Sequence, residues 1–401
     1  MRIKIVGALL GLGLNAGAWA SGFNLLEQNA SGLGNAYAGQ AASAQDASTV
    51  FFNPAGLLRI EGEQVVVVGH LIRPSVEFTD QGSTAPIGNG GDIGGLNFVP
   101  NAYYARDVGP GWKFGLGINS PFGLKNEYDN PWAGRSQALL SDLKTININP
   151  SLAWLFNDKI ALGAGINLQW VQAELSQRHP TQDIVTMKAD DTSWGYNLGA
   201  LIRFDNNTRV GIAYRSSIEH KAEGDVRSVV GTSPDHNGPV MSKVKLPDSA
   251  SLSLFSRMDD RWDLLADLTW TGWQSFDRFK VDNLATGVTI TNVPQNWDDT
   301  WRVSVGANYR KSDKWLWRMG VAYDQGPVPD AEHRTPRIPD GDRIWLAFGG
   351  QYKISDKGWV DFGYAHLFVE TVKINHIETV LVKGEYKGKV DILSAQYTHT
   401  F

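Results

Sequence analysis

Residues 192–204 read TSWGYNLGALIRF. The even positions are Thr192, Trp194, Tyr196, Leu198, Ala200, Ile202 and Phe204; the odd ones are Ser193, Gly195, Asn197, Gly199, Leu201 and Arg203. Side chains of a strand point to opposite faces at successive residues, so this stretch makes a strand with one apolar face and one mostly small or polar face. The same dyad recurs in Trp301, Val303, Val305, Ala307, Tyr309 against Arg302, Ser304, Gly306, Asn308, Arg310. It recurs again in Ile160, Leu162, Ala164, Ile166, Leu168, Trp170 against Gly163, Gly165, Asn167, Gln169. Apolar outward and polar inward is the pattern of a barrel whose outer surface meets lipid. A soluble sandwich or β-helix also alternates, so the connections have to decide.

The connections are of two kinds. Short polar turns lie at Gly109-Pro110-Gly111, Asn157-Asp158, Asp205-Asn206-Asn207, Asp259-Asp260-Arg261, Lys311-Ser312-Asp313 and Ser355-Asp356-Lys357. Between them run longer, irregular stretches near 81–94, 123–141, 177–191, 226–241, 284–296, 325–341 and 375–384. Six short turns alternating with seven long loops require fourteen antiparallel strands, with both chain ends on the short-turn side. An even strand count with this asymmetry of connections is typical of outer-membrane barrels. The last strand ends on Phe401, in phase with Tyr397, Ala395 and Leu393, and the 15 Trp and 12 Tyr suit aromatic girdles at the two membrane interfaces. The fold class is therefore an all-β transmembrane barrel.

Composition agrees once its averages are read with the dyad in mind. A mean hydropathy of −0.25 resembles that of a soluble protein only because lumen residues dilute lipid-facing ones. The 401 residues hold 20% charged and 11% aromatic residues, too apolar for disorder. There is no Cys, which excludes disulfide frameworks and thiolate metal sites. The net charge of −5 gives no basic footprint for nucleic acid. At the N-terminus, Arg2 and Lys4 precede an apolar run, Ile5 to Leu14, and then Ala18-Trp19-Ala20. That order reads as a secretory signal over residues 1–20. Residues 21–60 follow, rich in Gly, Ala, Ser and Asn and without alternation. A compact segment of small residues at this place reads as a plug for the lumen, with the barrel proper spanning 61–401.

The motifs of that segment resemble the FadL/TodX family of outer-membrane transporters of long-chain fatty acids and related hydrophobes. They are Ser21-Gly22-Phe23-Asn24-Leu25-Leu26-Glu27, Ser31 to Gly39 (SGLGNAYAG) and Asn53-Pro54-Ala55. The resemblance continues through Pro121-Phe122-Gly123-Leu124, Ser141 to Asn147 (SDLKTIN), Leu246-Pro247, Tyr323-Asp324, Pro327-Val328-Pro329, Ile338-Pro339-Asp340 and Asp342-Arg343. It implies fourteen strands around an N-terminal hatch, with gating by Ser21, Gly22, Phe23, Asn53, Pro54 and Ala55. It also implies ligand capture between the long loops, transfer to a lumen pocket near the mature N-terminus, and lateral exit through a gap in the third strand. Here that strand runs from Trp112 to Ile118, and its alternation stops at Asn119, placing the opening at Ser120, Pro121, Phe122 and Gly123. Pro cannot donate to a ladder and Gly marks bends, so a break belongs there on physical grounds as well. A hydrophobe that leaves sideways into the bilayer keeps its roughly 0.8 kcal/mol per buried CH₂.

Candidate ligand contacts follow from side-chain chemistry. The loop from Leu124 to Leu143 carries Tyr128, Trp132, Leu139 and Leu140, apolar groups suited to a capture groove. A carboxylate headgroup needs cations, and the candidates are Arg203 and Arg302 on expected lumen faces and Arg178 at the outer end of strand five. Family members that carry fatty acids have a basic residue near the top of strand ten, where this chain reads Trp297-Asp298-Asp299-Thr300. That departure keeps aromatic and aliphatic hydrocarbons open as ligands. No H-E-x-x-H pair and no G-x-S-x-G elbow occurs among the 8 scattered His and the Ser residues. The expectation is a monomeric passive channel with no cofactor, no metal and no catalytic residue. Its partners are a hydrophobic ligand and the lipid and lipopolysaccharide of the outer membrane. An open porin and a surface adhesin are the competing readings.

Overall fold

The computed structural model describes residues 21–179, 184–228 and 237–401; the expected signal segment, 1–20, lies outside them. Twenty strand segments form one closed antiparallel sheet. Six wall strands consist of two segments each, so the segments make fourteen strands. The unbroken ones are the first (Gln64–Asp80), second (Asn97–Gly109), fourth (Leu140–Asn157), fifth (Ile160–Arg178), sixth (Ile184–Arg203), eleventh (Trp315–Asp324), twelfth (Arg343–Ser355) and fourteenth (Leu381–Thr400). The broken ones are the third (Trp112–Asn119, Gly123–Glu127), seventh (Thr208–Arg215, Ile218–Ser228) and eighth (Gly238–Leu246, Ser249–Arg257). The ninth (Trp262–Thr271, Arg278–Asn283), tenth (Thr289–Pro294, Thr300–Arg310) and thirteenth (Gly358–Val369, Val372–Ile377) are broken as well. Closure comes from pairing the fourteenth strand with the first, from Gln64↔Thr400 to Asp80↔Gly384. Phe401 extends that seam, donating its N–H to the Glu63 carbonyl at 2.9 Å.

Burial follows the dyad. Ile166, Trp194, Leu198 and Val303 are exposed on the outer face, while Asn167, Asn197 and Arg302 face a filled lumen. At the short-turn end Trp112 stacks on Trp154, Trp262 packs against Tyr309, and Trp315 lies between Trp317 and Tyr352, forming an aromatic girdle.

Residues 21–60 lie inside the barrel. They form three short helices (Ala30–Leu33, Gln40–Ser43, Thr49–Phe52) and a 3₁₀ turn (Pro54–Arg59). Asn29 caps the first helix by accepting from Gly32 N–H at 2.9 Å, and Asn53 caps the 3₁₀ turn by accepting from Ala55 N–H at 3.0 Å. The wall makes room with glycine: a Cβ on Gly211 would lie 1.9 Å from the Ala41 carbonyl, and one on Gly320 2.1 Å from that of Asn35. Lumen arginines then hold the same backbone. Arg209 donates to the carbonyls of Ala42 and Ser43 at 2.6 and 2.7 Å, and Arg302 to that of Ala36 at 2.7 Å.

Three expectations need correction. The third strand does not end at its break: Gly123–Glu127 resumes pairing with Leu140–Lys144. The stretch near 284–296 is largely ordered sheet, since Thr289–Pro294 pairs with Arg278–Asn283. Sequence periodicity misses both because a break resets the phase of the alternation. The proposed capture residues Tyr128, Trp132 and Leu139 are buried, and Leu140 is half-buried in the fourth strand. Tyr128 stacks on Trp132 at 3.8 Å and donates to the Pro336 carbonyl at 2.6 Å, so this cluster packs the loops together rather than lining an open groove.

Candidate functional site

The break in the third strand is closed by the chain's own N-terminal residues. Leu25 N–H donates to the Pro121 carbonyl at 2.7 Å and Gly123 N–H donates to the Phe23 carbonyl at 2.9 Å, with Asn24 in register with Phe122. On the other side, Thr145 Oγ1 accepts from Phe122 N–H at 3.0 Å and donates to the Phe122 carbonyl at 2.6 Å. Gln28 Nε2 reaches the Ser120 carbonyl at 3.1 Å. Ser120, Pro121, Phe122 and Gly123 are all buried in this state. Strand-like pairing satisfies backbone groups that could not stay bare at membrane depth. The staple is three residues long.

Phe23 anchors the staple. Its ring meets Trp273, Phe276, Trp297 and Phe122 with centroids 4.8, 5.5, 5.8 and 6.0 Å away. Gly22 N–H donates to Asp340 Oδ2 at 2.7 Å, and Ser21 Oγ to the Gln325 carbonyl at 2.6 Å. Gly22 has φ 63°, where a side chain would also strike Trp273 at 2.7 Å. Asn53 ties the far end of the plug to the wall, donating to the carbonyls of Ala41 and Ala200 at 2.6 and 2.9 Å.

Above Phe23 opens an apolar cavity. Its walls include Leu143, Val171, Leu175 and Met187 on strands four to six, and Val244 and Phe279 on the upper segments of strands eight and nine. Its few polar groups include Arg337, in the long loop after strand eleven. The guanidinium donates to Gln177 Oε1 at 2.7 Å, the Leu140 carbonyl at 3.1 Å and Ser141 Oγ at 3.2 Å. Among the described residues no carboxylate comes within ion-pair distance of it. Burial pushes Arg337 down to about 10, with Glu378 and Tyr128 acting the other way. A buried cation with neutral acceptors and no carboxylate at ion-pair distance is an electrostatic socket for an anion.

The expected cations do not converge. Arg203 is exposed at the short-turn rim and binds the Asp158 carbonyl at 2.5 Å; it does not line the apolar cavity, which corrects its placement as a headgroup contact. Arg178 lies at the long-loop end beside Gln177 and His376. Arg302 is buried beneath the apolar cavity, over the Trp345 ring at 5.1 Å. Sequence reading missed Arg337; its signal was a cation set between Pro336 and Ile338-Pro339 in an otherwise polar loop. Asp298 and Asp299 do not line the cavity; Asp299 accepts from Gln274 N–H at 3.0 Å.

Over residues 12–401 the chain matches the family described as outer membrane protein transport protein (OMPP1/FadL/TodX). It belongs to that family. The long-chain fatty acid transport protein of Escherichia coli K12 is 27% identical, over 96% of this chain and 95% of that one. The crystal structure of a Pseudomonas aeruginosa FadL homologue superposes with a TM-score of 0.87 at 25% identity, covering 95% of this chain and all of that one. The Pseudomonas putida toluene transporter TodX shares the fold, with a TM-score of 0.70 at 19% identity over 88% of this chain and 94% of that chain. The protein is thus an outer-membrane β-barrel of a transport family and not an enzyme.

Proposed function

We propose that this member of the FadL/TodX family carries long-chain fatty acids passively across the outer membrane. The observation that carries the reading is the pairing of a large apolar cavity with Arg337 at its polar margin. An acyl chain fills the cavity while its carboxylate meets the guanidinium. Residues 21–60 act as the hatch of the 61–401 barrel. Phe23 and its neighbours withdraw, the plug shifts around Asn53-Pro54-Ala55, and the ligand leaves between lipid and wall at Ser120 to Gly123. The wall closes on itself within one chain, from Gln64↔Thr400 to Asp80↔Gly384, so a monomer suffices for the channel.

The runner-up is uptake of aromatic or aliphatic hydrocarbons by the same route, favoured by the largely apolar lining of the cavity. Uptake of oleate against toluene separates the two, measured in cells whose only hydrophobe channel is this protein. Oleate uptake well above the empty strain supports the fatty-acid reading, and toluene uptake alone replaces it. Arg337→Gln removes one charged hydrogen bond, about 1.5–3 kcal/mol. It should weaken oleate binding on the order of tenfold or more and leave toluene unchanged.

A further inference from the structure

A second cavity lies below the apolar one, between the plug and strands six to ten. It reaches the break in the third strand, since Pro121 and Phe122 line it, and it reaches the plug at Phe51, Phe52 and Pro54. Its chemistry differs from the cavity above. Two guanidinium groups, Arg215 and Arg302, face it, with one carboxylate, Asp267. Asp267 is already engaged by Ser253 Oγ and by Thr269 Oγ1.

Both cations are fixed in place rather than solvated. Arg215 ends the lower segment of strand seven, at the wall break Ser216–Ser217. Its guanidinium lies 4.3 Å above the Phe51 ring, donates to the Phe51 carbonyl at 2.8 Å and binds Asn167 Oδ1. Arg302 is 5% exposed; it donates to the Ala36 carbonyl and Ser304 Oγ, and its Nε has no hydrogen-bond partner. No carboxylate among the described residues comes within ion-pair distance of either guanidinium. A buried donor left without a partner is costly, and the natural way to satisfy it is an acceptor supplied from outside. Phe122, Phe51, Phe52 and Leu26 give the same cavity an apolar side toward the wall break.

We infer that this lower cavity is a second ligand station, where the carboxylate of an anionic amphiphile rests on Arg215 and Arg302 while its chain points toward the break at Ser120–Gly123. The inference rests on the fatty-acid reading above and adds a resting place between the apolar cavity and the exit. It also gives the plug a direct contact with ligand, because the backbone carbonyls that these arginines hold belong to Phe51 and Ala36. A carboxylate that competes for the guanidinium groups loosens the plug as it arrives. A neutral hydrocarbon of equal length lacks that competition and passes the station without stopping.

The test counts bound ligand. Purified protein in lipid nanodiscs is titrated with oleate and, separately, with oleyl alcohol, for the wild type, Arg337→Gln and the double variant Arg215→Gln/Arg302→Gln. Glutamine can still donate to the Phe51 and Ala36 carbonyls, and heat-modifiable gel mobility confirms a closed barrel in each variant. Two oleates per wild-type chain are expected. The double variant should keep one, with the affinity of the remaining site changed by less than about twofold, and its oleyl alcohol binding should not change. Arg337→Gln should weaken the upper site and leave the lower one. A second oleate that persists in the double variant overturns the station. So does a single wild-type oleate whose binding responds only to Arg337→Gln, which leaves the transport reading standing. No bound oleate in the wild type removes the transport reading and the station together.

Discussion

Truncating Phe23 to Ala should unlock the wall. The ring is 3% exposed and sits among four aromatic side chains, two of them indoles at 4.8 and 5.8 Å. Removing a buried Phe side chain costs about 3–5 kcal/mol, of which each aromatic pair supplies about 0.5–1.5 kcal/mol. In the proposed opening the nest comes apart together with the Leu25–Pro121 and Gly123–Phe23 hydrogen bonds, so the loss is expected to fall on the closed state. At about 1.4 kcal/mol per tenfold, even 3 kcal/mol moves the closed-to-open ratio on the order of a hundredfold.

The chain has no Cys, so one introduced thiol reports alone. Ser120 is 3% exposed and lies under the staple, and Ser120→Cys changes little volume. In a Ser120→Cys background, Phe23→Ala should raise the rate of labelling by a charged maleimide on the order of a hundredfold. The barrel itself should stay closed by gel mobility. Equal labelling rates with and without the Phe23 ring would refute the reasoning, because the ring would then not be what holds the three residues on the break.

Further predictions follow from the plug and the wall. Glu27 is fully buried, and burial pushes its carboxyl up to about 7, opposed by a backbone hydrogen bond and by Arg343 and Arg302. A carboxyl raised in the folded state adds stability below about pH 4.5 that is lost as pH climbs through 7, about 3 kcal/mol at about 1.36 kcal/mol per unit. Amide exchange of residues 21–60 should therefore speed up across that window, and Glu27→Gln should flatten the dependence; a slope that survives the substitution assigns it to another group. Arg318 and Asp361 form a buried ion pair at 2.6 Å, so Arg318→Met should cost about 3–5 kcal/mol in urea unfolding. Arg318→Met/Asp361→Leu should recover most of that loss, and no recovery would mean the pair is not what the single variant broke. Gly123→Trp should abolish uptake while the barrel stays folded; normal uptake by that variant would remove lateral exit.

What the sequence made legible is what depends on local period. Strand alternation, the short turns and the terminal Phe401 specify the closed sheet because every lipid-facing strand obeys the same two-residue rule. Phe23, Asn53 and Ser120–Gly123 were picked out as motif residues, yet their linkage was invisible. Hydrogen bonds from Leu25 to Pro121 and from Gly123 to Phe23 join positions about a hundred apart, with no periodic trace. Gly163, Gly199 and Gly306 were read as small lumen residues; that Gly211 and Gly320 seat the carbonyls of Ala41 and Asn35 emerges only when the plug is docked. Tyr128 and Trp132 misled because an apolar loop residue looks the same whether it awaits a ligand or a neighbouring loop.

Four of the six breaks in the wall, those of strands seven to ten, fall in one row, and this bears on how the cavity empties. Arg215, Ser249, Thr271 and Thr300 pair across strands seven to ten in one row. Directly above that row the strands are interrupted at Ser216–Ser217, Pro247–Asp248, Gly272–Asp277 and Gln295–Asp299. The segments above the line pair with one another and join strand six through Val185–Asp190, while among the described residues Thr289–Pro294 pairs with no further strand. This upper panel supplies one wall of the apolar cavity; short unpaired joints, one ladder to strand six and packing of Val226, Val240 and Val281 against Val185 and Met187 hold it to the barrel. The plug, by contrast, is gripped by arginines at Ala36, Ala42, Ser43 and Phe51 and seated on wall glycines at Asn35 and Ala41. Moving a ligand straight through would require breaking that entire seat. On the proposed lateral route the release falls on the three residues paired at one strand break. This distribution of hydrogen bonds is what supports the proposed lateral path.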